Sequence, residues 1–180
     1  MKKISILVIT TLLISSCSFS TQESSLGFVS GCEQVKLLDT ADKSIPMQCL
    51  DGVSSMNFYQ LKGPMVINVW GSWCEGCKEE MPYFVDLYET QAFESGQIKL
   101  LGINVEESSK EDAIEYIKQN GMSWPHLEDL DGISKSIFGP GVPVTWFINE
   151  EGKNVATKIG AYTNKKQLFE QVEQAFGIKL

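Results

Sequence analysis

The stretch that decides the fold is "MVINVWGSWCEGCKEEMPYF", residues 65–84. Its first six residues are mostly β-branched or apolar, which indicates a strand buried on both faces. Cys74 and Cys77 follow, and beyond them Met81 and Phe84 recur at helical spacing. The stretch therefore predicts a strand, a short turn and a helix, with the two thiols where the helix begins.

That position gives the two thiols a chemical role. The start of a helix presents unpaired N–H groups and the positive end of the helix dipole, which lower the pKa of a nearby thiol. Cys77 lies three residues after Cys74, on the same side of the helix, and can form a disulfide with it. The pair predicts that Cys74 attacks a substrate disulfide and Cys77 resolves the mixed disulfide. Glu75 is expected either to oppose thiolate formation through its negative charge or to be solvated with little effect.

Other readings of a Cys-x-x-Cys pair require residues that this chain does not supply nearby. A zinc site needs a second pair of ligands, and His126 is the only histidine. A c-type haem site needs a histidine directly after Cys77, where Lys78 stands. Redox chemistry is therefore favoured, and His126 is expected to be a hydrogen-bonded structural residue beside a strand. Two soft thiolates also suit Cu(I), so copper binding stays open.

The rest of the chain continues the alternation of strands and helices. Pro82 is expected to kink the helix after Cys77. Further elements are a buried strand at 98–105, a helix at 109–121 that begins with the capping residues Ser109 and Asp112, antiparallel strands at 144–149 and 154–160 around a turn at Gly152, and an amphipathic helix at 164–177 with Leu168, Val172 and Phe176 on one face. This order, βαβ followed by ββα, predicts an α/β domain.

Length and composition limit the function classes. The chain has 180 residues, of which 43% are hydrophobic, enough for one compact domain. Its formal net charge is -8, which argues against a surface that binds nucleic acid, because phosphate binding requires a basic face.

The N-terminus predicts export. Residues 1–16 contain two lysines, an apolar run and small residues, the layout of a signal peptide. The segment from Ile14 to Cys17 resembles a bacterial lipobox, which predicts cleavage before Cys17 and lipidation of its thiol; the alternative is an ordinary signal peptide with a stray cysteine. Residues 17–30 are rich in serine and predict a flexible tether, so the folded domain is expected at 31–180. The expected location is the extracytoplasmic side of the bacterial cell membrane.

Cys32 and Cys49 form a second candidate pair. Exported proteins meet an oxidising compartment, where paired cysteines are usually oxidised. Closing the intervening loop is worth about 3 kcal/mol by chain entropy. The two are expected to form a structural disulfide that ties the N-terminal segment to the edge of the domain. A second redox pair is the alternative, although the two do not form a Cys-x-x-Cys motif.

Three segments together resemble a known family. "NVWGSWCEGCKEEMP" at 68–82, "WPHLEDLDG" at 124–132 and "FGPGVPVTWFINEEGK" at 138–153 are similar, in order and spacing, to the membrane-anchored thioredoxin-like thiol-disulfide oxidoreductases of the TlpA, ResA and CcmG (DsbE) kind. The resemblance runs from about Cys49 to Leu180. The chain departs from it at Gly76, where many relatives have proline, and in the loop before Pro143, which is shorter by a residue.

The resemblance implies a thioredoxin-like fold, with a central mixed β-sheet flanked by helices and an N-terminal extension. Pro143 matches the family's cis-proline, and its neighbour Val142 is implied to lie against the disulfide and pair with the main chain of the substrate. Glu80 matches an acid that carries the proton lost by Cys77. A glutamate in the first turn that stabilises the helix dipole is the alternative for Glu80.

The remaining site assignments concern the surface that faces the substrate. Trp73 is expected to shield the edge of the disulfide, whereas Trp70 on the strand is expected in the core. Glu75 and Gly76 lie between the two cysteines and complete the candidate substrate-binding set with Trp73 and Val142. No metal and no cofactor other than the Cys74–Cys77 disulfide is expected.

The implied activity is reduction of disulfides in exported proteins, with apocytochrome c as one possible client. A membrane thiol reductase is the expected electron donor, and the protein is expected to be a monomer. The alternatives are an oxidase that donates disulfides, a Cu(I) delivery module and a thiol peroxidase on the same fold.

Overall fold

The computed structural model describes residues 29–180; Cys17, the predicted signal peptide and most of the predicted tether lie outside the described residues. Within 29–180 the strands are β1 Pro46–Cys49, β2 Ser55–Asn57, β3 Met65–Trp70, β4 Lys99–Val105, β5 His126–Asp129, β6 Val144–Ile148 and β7 Asn154–Ile159. The helices are α1 Glu75–Tyr88, α2 Gln91–Glu94, α3 Lys110–Gln119, α4 Lys135–Phe138 and α5 Lys165–Phe176, and two 3-10 turns cover Cys32–Gln34 and Phe58–Gln60.

All seven strands form one mixed sheet, in the order β2-β1-β5-β4-β3-β6-β7. The three central strands β5, β4 and β3 are parallel to one another, whereas β6 and β7 on one side and β1 and β2 on the other are antiparallel to their neighbours. Parallel strands finish at the same edge of a sheet, so the loops after β3, β4 and β5 meet there. The predicted α/β class with a central mixed sheet is confirmed.

Helices cover the two faces of the sheet unequally. Buried side chains of α1, α3 and α5 pack against one face, together with Trp70 of β3. The other face is covered by shorter segments that include Phe58 and Phe138. Both faces of β3 are therefore buried, as its apolar sequence predicted, and all six of its residues are buried.

Local signals placed several elements correctly. The side chain of Ser109 caps α3 by accepting a hydrogen bond of 3.2 Å from the N–H of Asp112. Gly152 turns between β6 and β7 with a φ of 72°. In α5, Leu168 and Val172 are fully buried, and Phe176 is partly buried against the core.

Three strands of the sheet were not part of the sequence-based expectation. The expected order lacked β1, β2 and β5, which are three or four residues long. Their place in the sheet depends on pairing between distant segments, because β5 lies between β4 and β1. Pro82 lies inside α1, which runs from Glu75 to Tyr88; the kink expected there stays a prediction.

The first two described residues, Val29 and Ser30, contact the folded domain. Val29 packs against the core, and Ser30 forms an isolated bridge with Pro125. No helix within residues 29–180 is both long enough and apolar enough to cross a membrane.

Candidate active site

The two cysteines of the central motif lie where β3 passes into α1. Cys74 is the N-cap of α1, and its Sγ accepts a hydrogen bond of 3.1 Å from the N–H of Cys77. A disulfide joins the two residues, whose Cα atoms are 5.2 Å apart. Cys74 is 7% exposed and Cys77 is 0% exposed, so solvent reaches Cys74 first. This arrangement suits a pair in which the more accessible sulfur, that of Cys74, reacts with a substrate and the buried sulfur of Cys77 reacts afterwards with Cys74.

Charge around Cys74 comes from the helix and from two exposed side chains. The first turn of α1 directs its free N–H groups toward the sulfur, which favours the thiolate over the thiol. The carboxylate of Glu75 is largely exposed and lies 3.6 Å from the ammonium group of Lys78. An exposed ion pair of this kind is screened by water and contributes little to stability.

Pro143 lies directly against the Cys-x-x-Cys turn. The Val142–Pro143 peptide bond is cis. A Cβ atom added to Gly76 would lie 3.5 Å from Cδ of Pro143 and 3.5 Å from Cβ of Ala161, which is ordinary van der Waals contact. The carbonyl of Pro143 accepts a hydrogen bond of 2.9 Å from the N–H of Gly160. The fold thus brings Pro143 against Gly76, which lies between the two cysteines.

Glu80 is a fully buried carboxyl group on the inner face of α1. It lies three residues after Cys77, which places both on the same side of the helix. Its Oε1 accepts a hydrogen bond of 2.9 Å from Nδ2 of Asn68, and its Oε2 accepts one of 2.9 Å from the N–H of Tyr162. Burial raises the pKa of Glu80 from 4.5 to about 7, against the lowering effects of these two hydrogen bonds and of Lys158. A carboxyl group with this pKa exchanges a proton readily near neutral pH.

Sequence reasoning missed both partners of Glu80. Asn68 is the one polar residue within the apolar strand β3, and that exception was a usable signal. Tyr162 carried no signal, because it contributes a backbone N–H from a segment 82 residues away.

Sequence reasoning also missed a carboxylate that holds the loop before Cys74. Glu107 follows β4, and its two oxygens accept hydrogen bonds of 2.6 Å from the N–H and 2.7 Å from the Oγ of Ser72. Nδ2 of Asn104 donates a third hydrogen bond of 2.8 Å to the same carboxylate. These contacts fix Ser72 two residues before Cys74. An acidic residue just after a parallel strand was the available signal.

The two tryptophans near the motif occupy different environments. Trp73 is 51% exposed, and its Nε1 donates to the carbonyl of Val105 at 3.2 Å. Trp70 is fully buried, and its Nε1 donates to Nδ1 of His126 at 3.2 Å. Burial lowers the pKa of His126 to about 3, so its ring is neutral near pH 7. Gly102 leaves room for this pair, because a Cβ there would collide with Nδ1 of His126.

The second cysteine pair lies away from this site. Cys32 and Cys49 are joined in a disulfide, with Cα atoms 6.2 Å apart. Both are buried on the face of the sheet opposite α1, and β1 is separated from β3 by two strands.

A metal site was not among the expectations. Within residues 29–180, no three side chains of the types His, Cys, Asp or Glu are grouped to hold a metal ion.

The mixed sheet, the disulfide at a helix start and the adjacent cis-proline together define a thioredoxin-like protein. The chain belongs to the AhpC/TSA family, whose model matches residues 41–158. The resemblance to thioredoxin-like thiol-disulfide oxidoreductases of the ResA kind is thereby confirmed, as is the thioredoxin-like fold.

Proteins similar in sequence to this chain are named as thiol-disulfide oxidoreductases. The chain is 32% identical over 112 residues to "Sporulation thiol-disulfide oxidoreductase A" of Bacillus subtilis, covering 61% of this chain and 66% of that protein. It is 36% identical over 105 residues to "Thiol-disulfide oxidoreductase ResA" of the same organism, covering 57% of each. The chain thus matches less than two thirds of the length of these relatives. The crystal structure of StoA from Bacillus subtilis has a TM-score of 0.57 and 26% identity, over 70% of this chain and 93% of that one.

Proposed function

We propose that this protein is an extracytoplasmic thiol-disulfide oxidoreductase that reduces disulfides in exported proteins. The observation that carries the proposal is the arrangement of three residues at one helix start. Cys74 caps α1 near solvent, Cys77 lies buried one turn inward, and Glu80 lies buried below it. The relatives named as thiol-disulfide oxidoreductases support the same chemistry.

The reaction runs in two exchanges with the reduced protein. The thiolate of Cys74 attacks one sulfur of the client disulfide, forms a Cys74–client disulfide and releases the first client sulfur as a thiolate, which takes a proton from water. Cys77 then gives its proton to the carboxylate of Glu80, and its thiolate attacks Sγ of Cys74. The Cys74–Cys77 bond forms, the bond to the client breaks, and the second client thiolate leaves. Two electrons pass to the client, and Glu80 later returns its proton to water.

Groups around Cys74 receive the client chain. Val142 presents its backbone beside the disulfide for pairing with the client main chain, held by the adjacent Pro143. Gly76 keeps this side open, since its lack of a side chain leaves space toward Pro143 and Ala161. The exposed ring of Trp73, directly before Cys74, adds an apolar surface for the client, and Glu75 adds a negative charge beside it.

The proposed location rests on the sequence of the N-terminus. Residues 1–16 act as the export signal, Cys17 carries the lipid anchor, and the segment up to residue 30 tethers the domain at 31–180 to the outer side of the membrane. Exported proteins with disulfides, apocytochrome c among them, are then within reach. A membrane thiol reductase supplies the electrons, and the protein works as a monomer.

The alternative activities have less support. The oxidase alternative uses the same residues in the opposite direction, and the redox potential decides between the two. Cu(I) delivery modules usually recruit a distant His or Met besides the two thiolates. The single histidine, His126, is fully buried against Trp70.

An insulin-reduction assay tests the proposed function. Reduced wild-type protein should reduce insulin disulfides in the presence of dithiothreitol, and Cys74→Ser should abolish the catalysed rate. The double variant Cys32→Ala/Cys49→Ala is the control, because it removes the other disulfide of the domain, and it should keep the rate. Equal rates for wild type and Cys74→Ser, together with tight 1:1 Cu(I) binding, would favour the copper module instead. Equilibration with glutathione buffers of known potential then decides between reductase and oxidase.

A further inference from the structure

The side-chain NH2 group of Asn68 bonds to Glu80, whereas its side-chain oxygen has no partner among the described residues. Its side chain is fully buried in the centre of β3. Nδ2 donates a hydrogen bond of 2.9 Å to Oε1 of Glu80. Oδ1 is also buried, and it has no hydrogen-bond partner among the described residues. A buried amide oxygen without a partner carries a cost in free energy and calls for an explanation.

Both hydrogen-bond partners of Glu80 are donors, which suits its ionised form. Both of its oxygens accept hydrogen bonds, one from Nδ2 of Asn68 and one from the N–H of Tyr162. A protonated carboxyl group carries an O–H that needs an acceptor. The N–H of Tyr162 cannot supply one, because a backbone N–H is a donor only. If these two partners stayed fixed, the O–H of protonated Glu80 would find no acceptor on either of them.

The other ionisable groups that face Glu80 do not remove this conflict. Lys158 on β7 acts on Glu80 through its positive charge, and an ammonium group has no acceptor. The phenol of Tyr162 donates to Oε1 of Gln171 at 2.6 Å. Cys77, on the same face of α1, is bound in the disulfide in the oxidised protein. The unpaired acceptor beside Oε1 is therefore Oδ1 of Asn68, on the same amide that supplies the donor.

We propose that Asn68 is a positioning residue whose amide turns over when Glu80 changes its protonation state. With Glu80 ionised, Nδ2 donates to Oε1, as in the structure. With Glu80 protonated, the amide rotates by half a turn, and Oδ1 accepts the O–H of the acid. No electrons move and no proton reaches Asn68. Glu80 therefore keeps two hydrogen bonds, and one orientation below Cys77, through both states. This inference rests on the proposed role of Glu80 in disulfide exchange.

Titration by NMR in the oxidised protein tests the rotation directly. With Cys74 and Cys77 bonded to each other, no active-site thiol titrates. The side-chain 15N and 1H signals of Asn68 should shift with the same midpoint as the carboxyl 13C signal of Glu80. In Glu80→Gln, which mimics the protonated acid permanently, the Asn68 signals should stay at their low-pH positions across the whole range.

Asn104 is the matched control, because its Nδ2 also donates to a glutamate, Glu107. Its signals should show no inflection at the midpoint of Glu80. Asn68 signals that remain flat through the titration of Glu80, or that still titrate at this midpoint in Glu80→Gln, would overturn the proposal.

A kinetic experiment supplies a second readout. Asn68→Leu replaces the amide by a side chain of similar shape that neither donates nor accepts. Loss of the charge-assisted donor should outweigh loss of the acceptor, so the pH midpoint of the Cys77-dependent resolution step should rise by about one unit. Asn104→Leu should leave this midpoint unchanged. An unchanged midpoint in Asn68→Leu would contradict the proposal.

The two proposals fail separately. The NMR titration requires no turnover, so tracking of Glu80 by Asn68 without any insulin reduction would remove the proposed function and keep the rotation. Normal insulin reduction together with Asn68 signals that do not shift with pH would remove the rotation and keep the proposed function.

Discussion

The N–H of Cys77 donates a hydrogen bond of 3.1 Å to Sγ of Cys74. The sulfur of Cys74 therefore occupies the position where an N-cap side chain accepts from the first turn of a helix. Such a donor stabilises negative charge on the sulfur, which favours Cys74 as nucleophile and leaving group. Cys77 is fully buried, so solvent and client do not reach its sulfur directly. This position suits an attack on Sγ of Cys74 once the mixed disulfide has formed.

Burial of Glu80 predicts a pH dependence of stability. Its pKa rises from 4.5 to about 7 on folding, mainly through burial. The folded protein thus holds a proton that the unfolded chain releases, so the free energy of unfolding falls as pH rises from about 4.5 to about 7, by about 3 kcal/mol in total. Glu80→Gln lacks this loss. Urea unfolding of the oxidised proteins should show the variant gaining stability over wild type between pH 5 and pH 8, and a constant difference would contradict the assigned pKa.

The contact between Glu107 and Ser72 predicts a second effect on the position of an active-site group, here the loop before Cys74. Glu107→Gln replaces a carboxylate that accepts from Ser72 and Asn104 with an amide that offers one acceptor oxygen. The loop before Cys74 should loosen, and insulin reduction should slow by about tenfold while the far-UV circular dichroism stays unchanged. The matched control is Glu106→Gln, since Glu106 pairs with Lys135 instead. Equal rates in the two variants would show that the contact to Ser72 does not position the nucleophile.

The parts of this fold that sequence predicted are those with local causes. The apolar run of β3 and the helical spacing after Cys77 require no knowledge of distant segments. The same holds for the cap at Ser109 and the turn at Gly152, where a side chain or a single backbone angle gives the signal.

The missed parts depend on contacts between distant segments. β5 reads "HLED", with two acidic residues in four positions, and becomes a strand because β4 and β1 pair with it on either side. Glu107 reaches Ser72 because the parallel register places Asn104 opposite Trp70, at the ends of β4 and β3. No local pattern contains that register. Glu80 was singled out from the sequence, whereas its hydrogen-bond partners Asn68 and Tyr162 were not, because they come from other segments.

The disulfide between Cys32 and Cys49 predicts a contribution to stability without a contribution to turnover. It closes a sequence separation of 17 residues, so Cys32→Ala/Cys49→Ala should lower the free energy of unfolding by about 3 kcal/mol. Urea unfolding measures the loss. Mild reductant should open Cys74–Cys77 first, because Cys49 is 0% exposed and Cys32 is 3% exposed. Mass mapping that finds both alkylated in the native, unreduced protein would refute the pairing.

The lipobox-like segment that ends at Cys17 predicts that the protein is anchored to a membrane. If the segment from Ile14 to Cys17 is a lipobox, wild-type protein should incorporate radiolabelled palmitate and fractionate with membranes. Cys17→Ser should lose the label and either remain unprocessed or appear in the soluble fraction. Cys17 lies outside the folded domain proposed at 31–180, so purified Cys17→Ser protein should keep its insulin reductase activity. A wild type that takes up no palmitate would rule out the lipid anchor.

Trapping the mixed disulfide in the native host tests the division of labour between Cys74 and Cys77 most directly. Cys77→Ser removes the resolving thiol, so client adducts through Cys74 should accumulate on non-reducing gels and disappear with reductant, whereas Cys74→Ser should form none. Captured partners with Cys-x-x-Cys-His segments would identify apocytochrome c as the client, and varied exported proteins would identify a general reductase. If Cys77→Ser forms no adduct and Cys74 resists alkylation in the reduced protein, the pair does not perform disulfide exchange.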